Sequence, residues 1–216
     1  MQPRSRTLRC QGRELHVLEW GRPQAEVVVA WHGLARSGRD MDDIAAHLAQ
    51  RWRVLCPDTL GRGLSPWSPQ PDEEYQLGFY AAQALDLLDQ LGVAQCHWLG
   101  TSMGGAIGLR AAATTLRGRI QRLVMNDIGP ELAAPAMLRQ DTGHLTDDDP
   151  WKAWDALTIP VLVLRGAHSD RLAPEMAEAM RNRGPRAVVV SIPGCGHAPA
   201  LNTPAQFALV ERFFSG

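Results

Sequence analysis

The chain has 216 residues, of which 45% are hydrophobic and 21% charged, and its formal net charge is −1. These proportions are ordinary for one folded domain spanning residues 1–216, and they exclude an intrinsically disordered chain. The even charge balance and the scattered arginines exclude the basic surface of a nucleic-acid-binding protein. No apolar run reaches the roughly 18 residues that a membrane span needs. Because the N-terminal residues also lack a signal-peptide core, we expect a cytoplasmic protein.

Strand-like and helix-like segments alternate along the chain. Short apolar runs predict strands at 14–20, 26–31, 53–56, 96–99, 120–125, 161–164 and 187–192. Helical periodicity, or a proline in the first turn, predicts helices at 41–50, 75–91, 102–116, 174–180 and 204–214. This alternation predicts an α/β fold in which helices cover both faces of a mostly parallel sheet.

Residues 129–155 interrupt the alternation between two predicted strands. They contain an apolar helix candidate at 131–138, followed by a polar stretch from Gln140 to Pro150. We consider two interpretations of this insert. It is either an ordinary long loop or the remnant of a cap over a functional site.

The four cysteines, Cys10, Cys56, Cys96 and Cys195, show no C-x-x-C spacing. Three of them fall inside apolar runs, so we interpret them as small buried hydrophobic residues. In a cytoplasmic protein their thiols are expected to stay reduced.

The segment Gly100-Thr101-Ser102-Met103-Gly104 follows a predicted strand and opens a predicted helix. In that context, G-x-S-x-G is the sharp turn that exposes a nucleophilic serine at a helix N-terminus. Small residues are needed two positions before and after the serine because the turn is so tight. Ser102 is therefore the candidate nucleophile, and a purely structural turn is the alternative.

A serine nucleophile needs a general base, and seven histidines are available. His197 is favoured because its loop, Gly194-Cys195-Gly196-His197, lies between the last predicted strand and the last predicted helix. Such a loop falls at the carboxyl ends of the strands, the edge where open α/β sheets place their sites.

A third residue should orient the imidazole and stabilise its charged form. Asp170, in the turn after the strand at 161–164, is the favoured candidate. Asp127 is the alternative, because it ends the preceding strand and could reach the same histidine.

An oxyanion hole needs two backbone N–H donors. Met103, directly after the serine, should supply one of them. Leu34 should supply the other, since Gly33 before it lets the backbone approach closely. We interpret His32 as a residue that holds this loop by hydrogen bonds.

Together these features resemble the α/β-hydrolase superfamily, specifically its serine esterase-like branch. Four motifs occur in the family's order: 32–34 (HGL), 58–65 (DTLGRGLS), 100–105 (GTSMGG), and 166–170 (GAHSD) followed by 194–197 (GCGH). The resemblance implies an eight-stranded α/β-hydrolase core, a Ser102–His197–Asp170 triad, and no metal or organic cofactor. It also implies that the segment at 58–65 shapes a loop beside the site without being catalytic.

The insert departs from the family, because relatives generally carry several helices where this chain has only residues 129–155. The resemblance therefore implies a minimal or absent cap, whether natural or engineered. We expect an open site in which Gly33, Trp67 and Trp151 contact the substrate. Apolar surface exposed around such a site favours association, such as a homodimer.

The predicted function is hydrolysis of a small-molecule carboxylic ester through an acyl-enzyme. A carbon–carbon bond hydrolase of the same fold would use the same triad, and the sequence does not separate the two. A non-catalytic ligand-binding or scaffold protein is the alternative from another class. The intact serine turn and triad argue against it.

Overall fold

The computed structural model of the chain describes residues 2–131 and 151–216. Within them, eight strands form one sheet. The strands are β1 (Arg4–Cys10), β2 (Arg13–Trp20), β3 (Val27–Trp31), β4 (Arg53–Pro57), β5 (Cys96–Thr101), β6 (Ile120–Asn126), β7 (Val161–Gly166) and β8 (Val188–Ile192). The helices are α1 (Asp42–Leu48), α2 (Pro71–Glu74), α3 (Leu77–Gln90), α4 (Met103–Ala113), α5 (Lys152–Asp155), α6 (Pro174–Asn182) and α7 (Pro204–Ser215), with a 3-10 turn (Gly38–Met41) before α1.

The strand order across the sheet is β1-β2-β4-β3-β5-β6-β7-β8. β2 runs antiparallel to both of its neighbours, and the pairs from β4–β3 to β7–β8 are parallel. The mostly parallel sheet is therefore confirmed. Because the parallel strands point the same way, the loops after β3, β5, β6, β7 and β8 meet at one edge.

β1, which pairs with β2 through a tight hairpin, is not among the strands predicted from the sequence. Gln11 and Gly12 connect the two strands with φ values of 50° and 75°. A turn in which both central residues have positive φ suits the twist of a hairpin. Most β1 side chains are exposed, so the strand lacks the apolar run by which the other seven were predicted.

A hydrophobic core lies on each face of the sheet. Alternate residues of β3 serve the two cores, with Val29 in one and Val28 in the other. The first core is completed by α3 and α4, for example by Ile107, and the second by α1 and α7, for example by Ile44 and Phe214. Helices on both faces are thus confirmed.

Part of the insert is not described. The helix candidate at 131–138 and the polar stretch that follows it lie almost wholly outside the described residues. Among the helices in residues 2–131 and 151–216, none has the length and apolar character needed to cross a bilayer.

The four cysteines are free thiols, and the burial expected for three of them is confirmed. Cys10, Cys56 and Cys96 are buried, whereas Cys195 is half-buried. Burial raises the pKa of the Cys96 thiol to about 12, which keeps this group protonated and unreactive.

Glu19, on β2, is a buried carboxylate shared by three arginines. Its oxygens lie 3.1 Å from Arg4, 2.9 Å from Arg6 and 3.0 Å from Arg53. Burial alone would raise the pKa of Glu19, but the three guanidinium groups outweigh it and hold the pKa below its ordinary value. The contacts therefore stabilise the fold above the ordinary carboxylate pKa, and this contribution is lost as the pH falls through the lowered pKa.

Glu19→Gln is expected to lower the free energy of unfolding by about 3 kcal/mol near neutral pH, because Arg53 would stay buried without its counter-charge. The difference from wild type should shrink at an acidic pH below the lowered pKa of Glu19, where the wild-type carboxyl group is also neutral. Urea unfolding of both proteins at the two pH values measures this. Glu14→Gln, which changes an exposed glutamate on the same strand, is the matched control. A Glu19→Gln deficit that stays equal at both pH values would contradict the assignment.

Candidate active site

Ser102 occupies a sharp turn between β5 and α4. Its backbone has φ 49° and ψ −113°, a conformation that residues other than glycine rarely adopt. A Cβ on Gly100 would overlap the backbone of Gly104, and a Cβ on Gly104 would overlap the carbonyl oxygen of Trp31. The small residues predicted on either side of Ser102 are therefore required by the turn.

His197 lies within hydrogen-bond distance of Ser102. The loop after β8 brings its Nε2 to 3.0 Å from Ser102 Oγ. Its other ring nitrogen, Nδ1, is 2.8 Å from Oδ2 of Asp127, the residue that directly follows β6. Ser102, His197 and Asp127 therefore form a continuous hydrogen-bonded series at the carboxyl edge of the sheet.

The structure corrects the expectation that Asp170 orients His197. The Asp170 side chain is 76% exposed and lies 3.8 Å from Arg171, whereas the Asp127 side chain is fully buried against the imidazole. The reason is the turn after β7, in which the amide of Ser169 donates to the carbonyl of Gly166. This turn directs Ser169 towards Asp127 and leaves Asp170 facing solvent. Asp127, the alternative considered from the sequence, is the residue in contact.

Asp127 accepts four hydrogen bonds. Its Oδ2 accepts from His197 Nδ1, from the Ser169 hydroxyl at 2.6 Å and from the Ala198 amide at 2.9 Å. Its Oδ1 accepts from the Gly166 amide at 2.9 Å. Burial alone would raise the pKa of Asp127, but these donors outweigh it and hold the pKa below its ordinary value. The carboxylate is thus kept ionised beside the imidazole.

Asn126, which the sequence analysis did not single out, ties the serine turn to the histidine loop. Its carbonyl accepts from the Ser102 amide at 2.9 Å. Its side-chain amide donates to Thr101 Oγ1 at 3.1 Å and to the Pro199 carbonyl at 2.9 Å. A polar residue at the buried end of a strand, next to an aspartate, was the available signal.

Leu34 and Met103, the predicted oxyanion donors, both line the cleft beside Ser102. Met103 is the first residue of α4, so its N–H belongs to the first turn and has no partner within the helix. Gly33 packs against the serine, since a Cβ there would lie 3.7 Å from Ser102 Cβ. The loop after β3 and the start of α4 therefore converge beside Ser102.

His32 holds the loop after β3 in place, as the sequence analysis interpreted it. Its Nδ1 lies 2.7 Å from the Gly33 carbonyl, and its Nε2 accepts from the Thr59 amide at 2.9 Å. Burial lowers the pKa of His32, so the ring is neutral and Nδ1–H is the donor to Gly33. Both ring nitrogens are therefore committed to the loop.

Asp58 organises the neighbouring loop that the motif at 58–65 was expected to shape. It is buried, and its carboxylate accepts from the amides of Gly38 and Leu64 and contacts His16 Nδ1 at 2.8 Å. Because a Cβ on Gly63 would overlap this carboxylate, the glycine is required here. Within the described chain, Asp58 does not line the cleft.

The cleft in front of Ser102 has a volume of about 350 Å³. Gly33 lines it, and three charged side chains, Arg36, Asp40 and Arg171, also contribute. Its apolar lining includes Leu34, Met41, Leu77, Met103, Ala106, Ile128, Pro199 and Leu201. In the part of the chain that the structure describes, no cluster of three or more His, Cys, Asp or Glu residues could hold a metal ion.

Trp67 and Trp151 lie elsewhere, contrary to expectation, as far as the described residues define the cleft. Trp151 is buried, and its Nε1 donates to Glu131. Trp67 is 77% exposed, and Leu64 on the same loop is 74% exposed. These two side chains provide exposed apolar surface, and the association that such surface favours stays a prediction.

Unusual backbone conformations concentrate at this edge. Of the six non-glycine residues with positive φ in the described chain, four are Ser102, Asp127, Ala198 and Leu201. Each of them belongs to the hydrogen-bonded series, donates to it or lines the cleft. Such strain is tolerated where surrounding contacts fix a functional geometry.

Comparison with known proteins identifies the family. Residues 26–153 match the family described as "alpha/beta hydrolase fold", and residues 130–209 match a second family described as "Alpha/beta hydrolase family". The chain therefore belongs to the α/β-hydrolase family, and both the resemblance and the fold predicted from the motifs are confirmed.

The similar proteins with named activities are hydrolases. The 3-hydroxybutyrate-oligomer hydrolase of Cupriavidus necator is 31% identical over 270 aligned positions, which cover 92% of each protein. The sn-1-specific diacylglycerol lipase ABHD11 of Danio rerio is 32% identical over 53% of this chain and 35% of its own length. The crystal structure of an α/β hydrolase from Novosphingobium aromaticivorans has a TM-score of 0.86 and 28% identity, covering 100% of this chain and 99% of that one. These findings support a hydrolase.

Proposed function

We propose that this protein is a serine hydrolase of small carboxylic esters. The observation that carries the proposal is the Ser102–His197–Asp127 series opening into an apolar cleft of about 350 Å³. A hydroxyl, an imidazole and a buried carboxylate linked in this order are the groups that acyl transfer requires.

The reaction proceeds in two halves. Ser102 Oγ attacks the ester carbonyl while His197 Nε2 accepts the hydroxyl proton, and Asp127 stabilises the imidazolium that forms. The amides of Leu34 and Met103 stabilise the oxyanion of the tetrahedral intermediate. His197 then protonates the departing alcohol. In the second half it activates a water that cleaves the acyl-enzyme, releasing the acid and restoring Ser102.

Short oligoesters of hydroxy acids are the substrate class that we favour. The cleft is small and largely apolar, so it suits a short acyl group better than a long chain. The Cupriavidus necator protein, which matches this chain over most of its length, is named for 3-hydroxybutyrate oligomers. Each link in such an oligomer is a carboxylic ester.

A minimal cap would leave this site open. The alignment with the Cupriavidus necator protein covers 270 positions, more than the 216 residues of the chain, so that protein has residues with no counterpart here. We propose that the difference falls largely at residues 129–155, which would then be a shortened cap. The four free cysteines are in keeping with the cytoplasmic location that we propose.

The test combines active-site labelling with an ester panel. A fluorophosphonate should label wild type once, at Ser102, as intact and peptide mass spectrometry would show, and Ser102→Ala should remain unlabelled. Turnover of p-nitrophenyl acetate and butyrate should exceed that of the dodecanoate by roughly tenfold or more. Linear 3-hydroxybutyrate trimer should be cleaved to shorter acids. If wild type takes no label and cleaves no ester, the proposal is wrong; cleavage of a vinylogous diketone alone would indicate carbon–carbon bond hydrolysis instead.

A further inference from the structure

Ser169 lies in the turn after β7, and its hydroxyl faces Asp127. The distance from Ser169 Oγ to Asp127 Oδ2 is 2.6 Å. The same Oγ accepts hydrogen bonds from the backbone amides of Arg171 and Leu172, each at 3.1 Å. Because a hydroxyl oxygen has two acceptor positions and one proton, these two amides leave the proton directed at Asp127.

The direction of this proton matters because Asp127 Oδ2 is the oxygen that contacts the imidazole. Among the described residues, the side chains that donate to Asp127 are His197 and Ser169, and both donate to Oδ2. The backbone amide of Gly166 holds Oδ1 from the other side. The carboxylate is thereby fixed in rotation as well as in position, with Oδ2 aimed at Nδ1 of His197.

The turn that presents Ser169 is itself rigidly placed. Gly166 is packed so closely against the histidine loop that a Cβ there would overlap the Gly196 carbonyl. The amide of His168 donates to the Cys195 carbonyl at 2.9 Å. The loops after β7 and β8 are therefore held against each other, and Ser169 connects them to the aspartate after β6.

We propose that Ser169 is a positioning residue for the ester hydrolysis assigned above, acting through Asp127 to hold the imidazole of His197 in its productive orientation. The inference rests on that proposed function. Ser169 does not touch the reacting atoms and is not among the residues lining the cleft. Through Ser169, the loop after β7 donates a hydrogen bond to Asp127, which follows the neighbouring strand β6.

A purely structural role makes a different prediction. If the hydroxyl only closed its own turn through the amides of Arg171 and Leu172, its removal would lower stability and leave the turnover of each folded site unchanged. Rates must therefore be expressed per intact site, using fluorophosphonate titration of Ser102 to count the sites.

The experiment compares Ser169→Ala and Ser169→Cys with Ser169→Thr. Alanine removes the donor, cysteine keeps a side chain of similar size but donates weakly, and threonine keeps the hydroxyl. For the first two, kcat with p-nitrophenyl butyrate should fall roughly 10-fold to 100-fold with KM within about twofold of wild type. Ser169→Thr should retain most of kcat. Thr115→Val, which deletes the hydroxyl that an exposed residue just beyond the C-terminal end of α4 donates to the Ala81 carbonyl, should leave kcat unchanged.

A second readout needs no turnover. Proton NMR of the resting protein should show the Nδ1–H resonance of His197 shifted upfield or lost in Ser169→Ala and Ser169→Cys, and kept in Ser169→Thr. If wild type cleaved no ester, the proposed function would be wrong, but this resonance would still test whether Ser169 positions His197. Wild-type kcat per site together with an unchanged resonance in Ser169→Ala would overturn the proposal.

Discussion

Asp127→Asn is expected to lower kcat by about 10⁴-fold, while Asp170→Asn leaves kcat within about twofold of wild type. Asparagine at position 127 would present a neutral amide to His197, which no longer stabilises the imidazolium and favours the wrong tautomer. Asp170 is the matched control because it is the other aspartate that the sequence offers, and its side chain is 76% exposed.

Steady-state hydrolysis of p-nitrophenyl butyrate by the two variants measures this contrast. Circular dichroism and thermal unfolding should accompany it, because Asp127 is buried and accepts four hydrogen bonds. Rates are expressed per folded protein, because Asp127→Asn should also slow the labelling of Ser102. The opposite pattern, with Asp170→Asn inactive and Asp127→Asn active, would show that Asp170, in the loop after β7, is the acid that supports His197.

Ser102→Ala is expected to lower kcat by about 10⁶-fold, and the double variant Ser102→Ala/Asp127→Asn should be no slower than Ser102→Ala alone. The reason is that Asp127 acts only through His197, and His197 acts on the Ser102 hydroxyl. Once the hydroxyl is gone, the imidazolium that Asp127 would stabilise no longer forms by this route. Residual activity then comes from the oxyanion donors and from substrate binding.

The measurement is a double-mutant cycle on kcat, built from wild type, the two single variants and the double variant. The two variants that lack Ser102 are treated with a fluorophosphonate before the assay, which inactivates contaminating esterases without labelling these variants. Wild type and Asp127→Asn keep the serine and are assayed without this treatment. A double variant slower than Ser102→Ala by a further factor near 10⁴ would mean that Asp127 acts independently of the serine, contradicting the linked series.

Ser102 and His197 could be found from the sequence because local requirements identify them. The turn at Ser102 needs glycines at 100 and 104, and each of those glycines has backbone where a side chain would lie. His197 sits in the loop after β8, which strand order alone brings to the same edge. Both residues are therefore specified by short stretches of chain and by the direction of parallel strands.

The choice between Asp127 and Asp170 could not be made in that way. Each follows a strand that ends at the same edge, and β6 and β7 are neighbours in the sheet. The two are distinguished by which residue of the turn after β7 points inward. Ser169 faces Asp127, whereas Asp170, one position later, faces solvent. That difference depends on amide contacts with the histidine loop, which no local pattern reveals.

Other misses have equally specific causes. β1 was overlooked because its side chains are mostly exposed, and its pairing depends on a two-residue turn. Trp67 and Trp151 are expected at the substrate because a shortened cap would leave apolar side chains exposed around an open site. Trp67 is exposed on the same loop as Leu64, and Trp151 is buried and donates to Glu131. Aromatic character alone does not distinguish either environment from a position in the cleft.

The position of Asp127 makes the insert and the proposed acid parts of one loop. Asp127 is separated from the start of the insert at Gly129 only by Ile128, which is buried and lines the cleft. If the acid followed β7 instead, the whole of β7 would lie between it and the insert, and a change in cap length would not alter the chain next to the acid. A cap grafted at a junction before Gly129 would therefore change the chain beside the carboxylate, whereas a junction beyond Gly129 leaves residues 127–129 as they are. A side chain at position 129 would come within 3.0 Å of Met176 and 3.3 Å of Leu172, so Gly129 should also be kept.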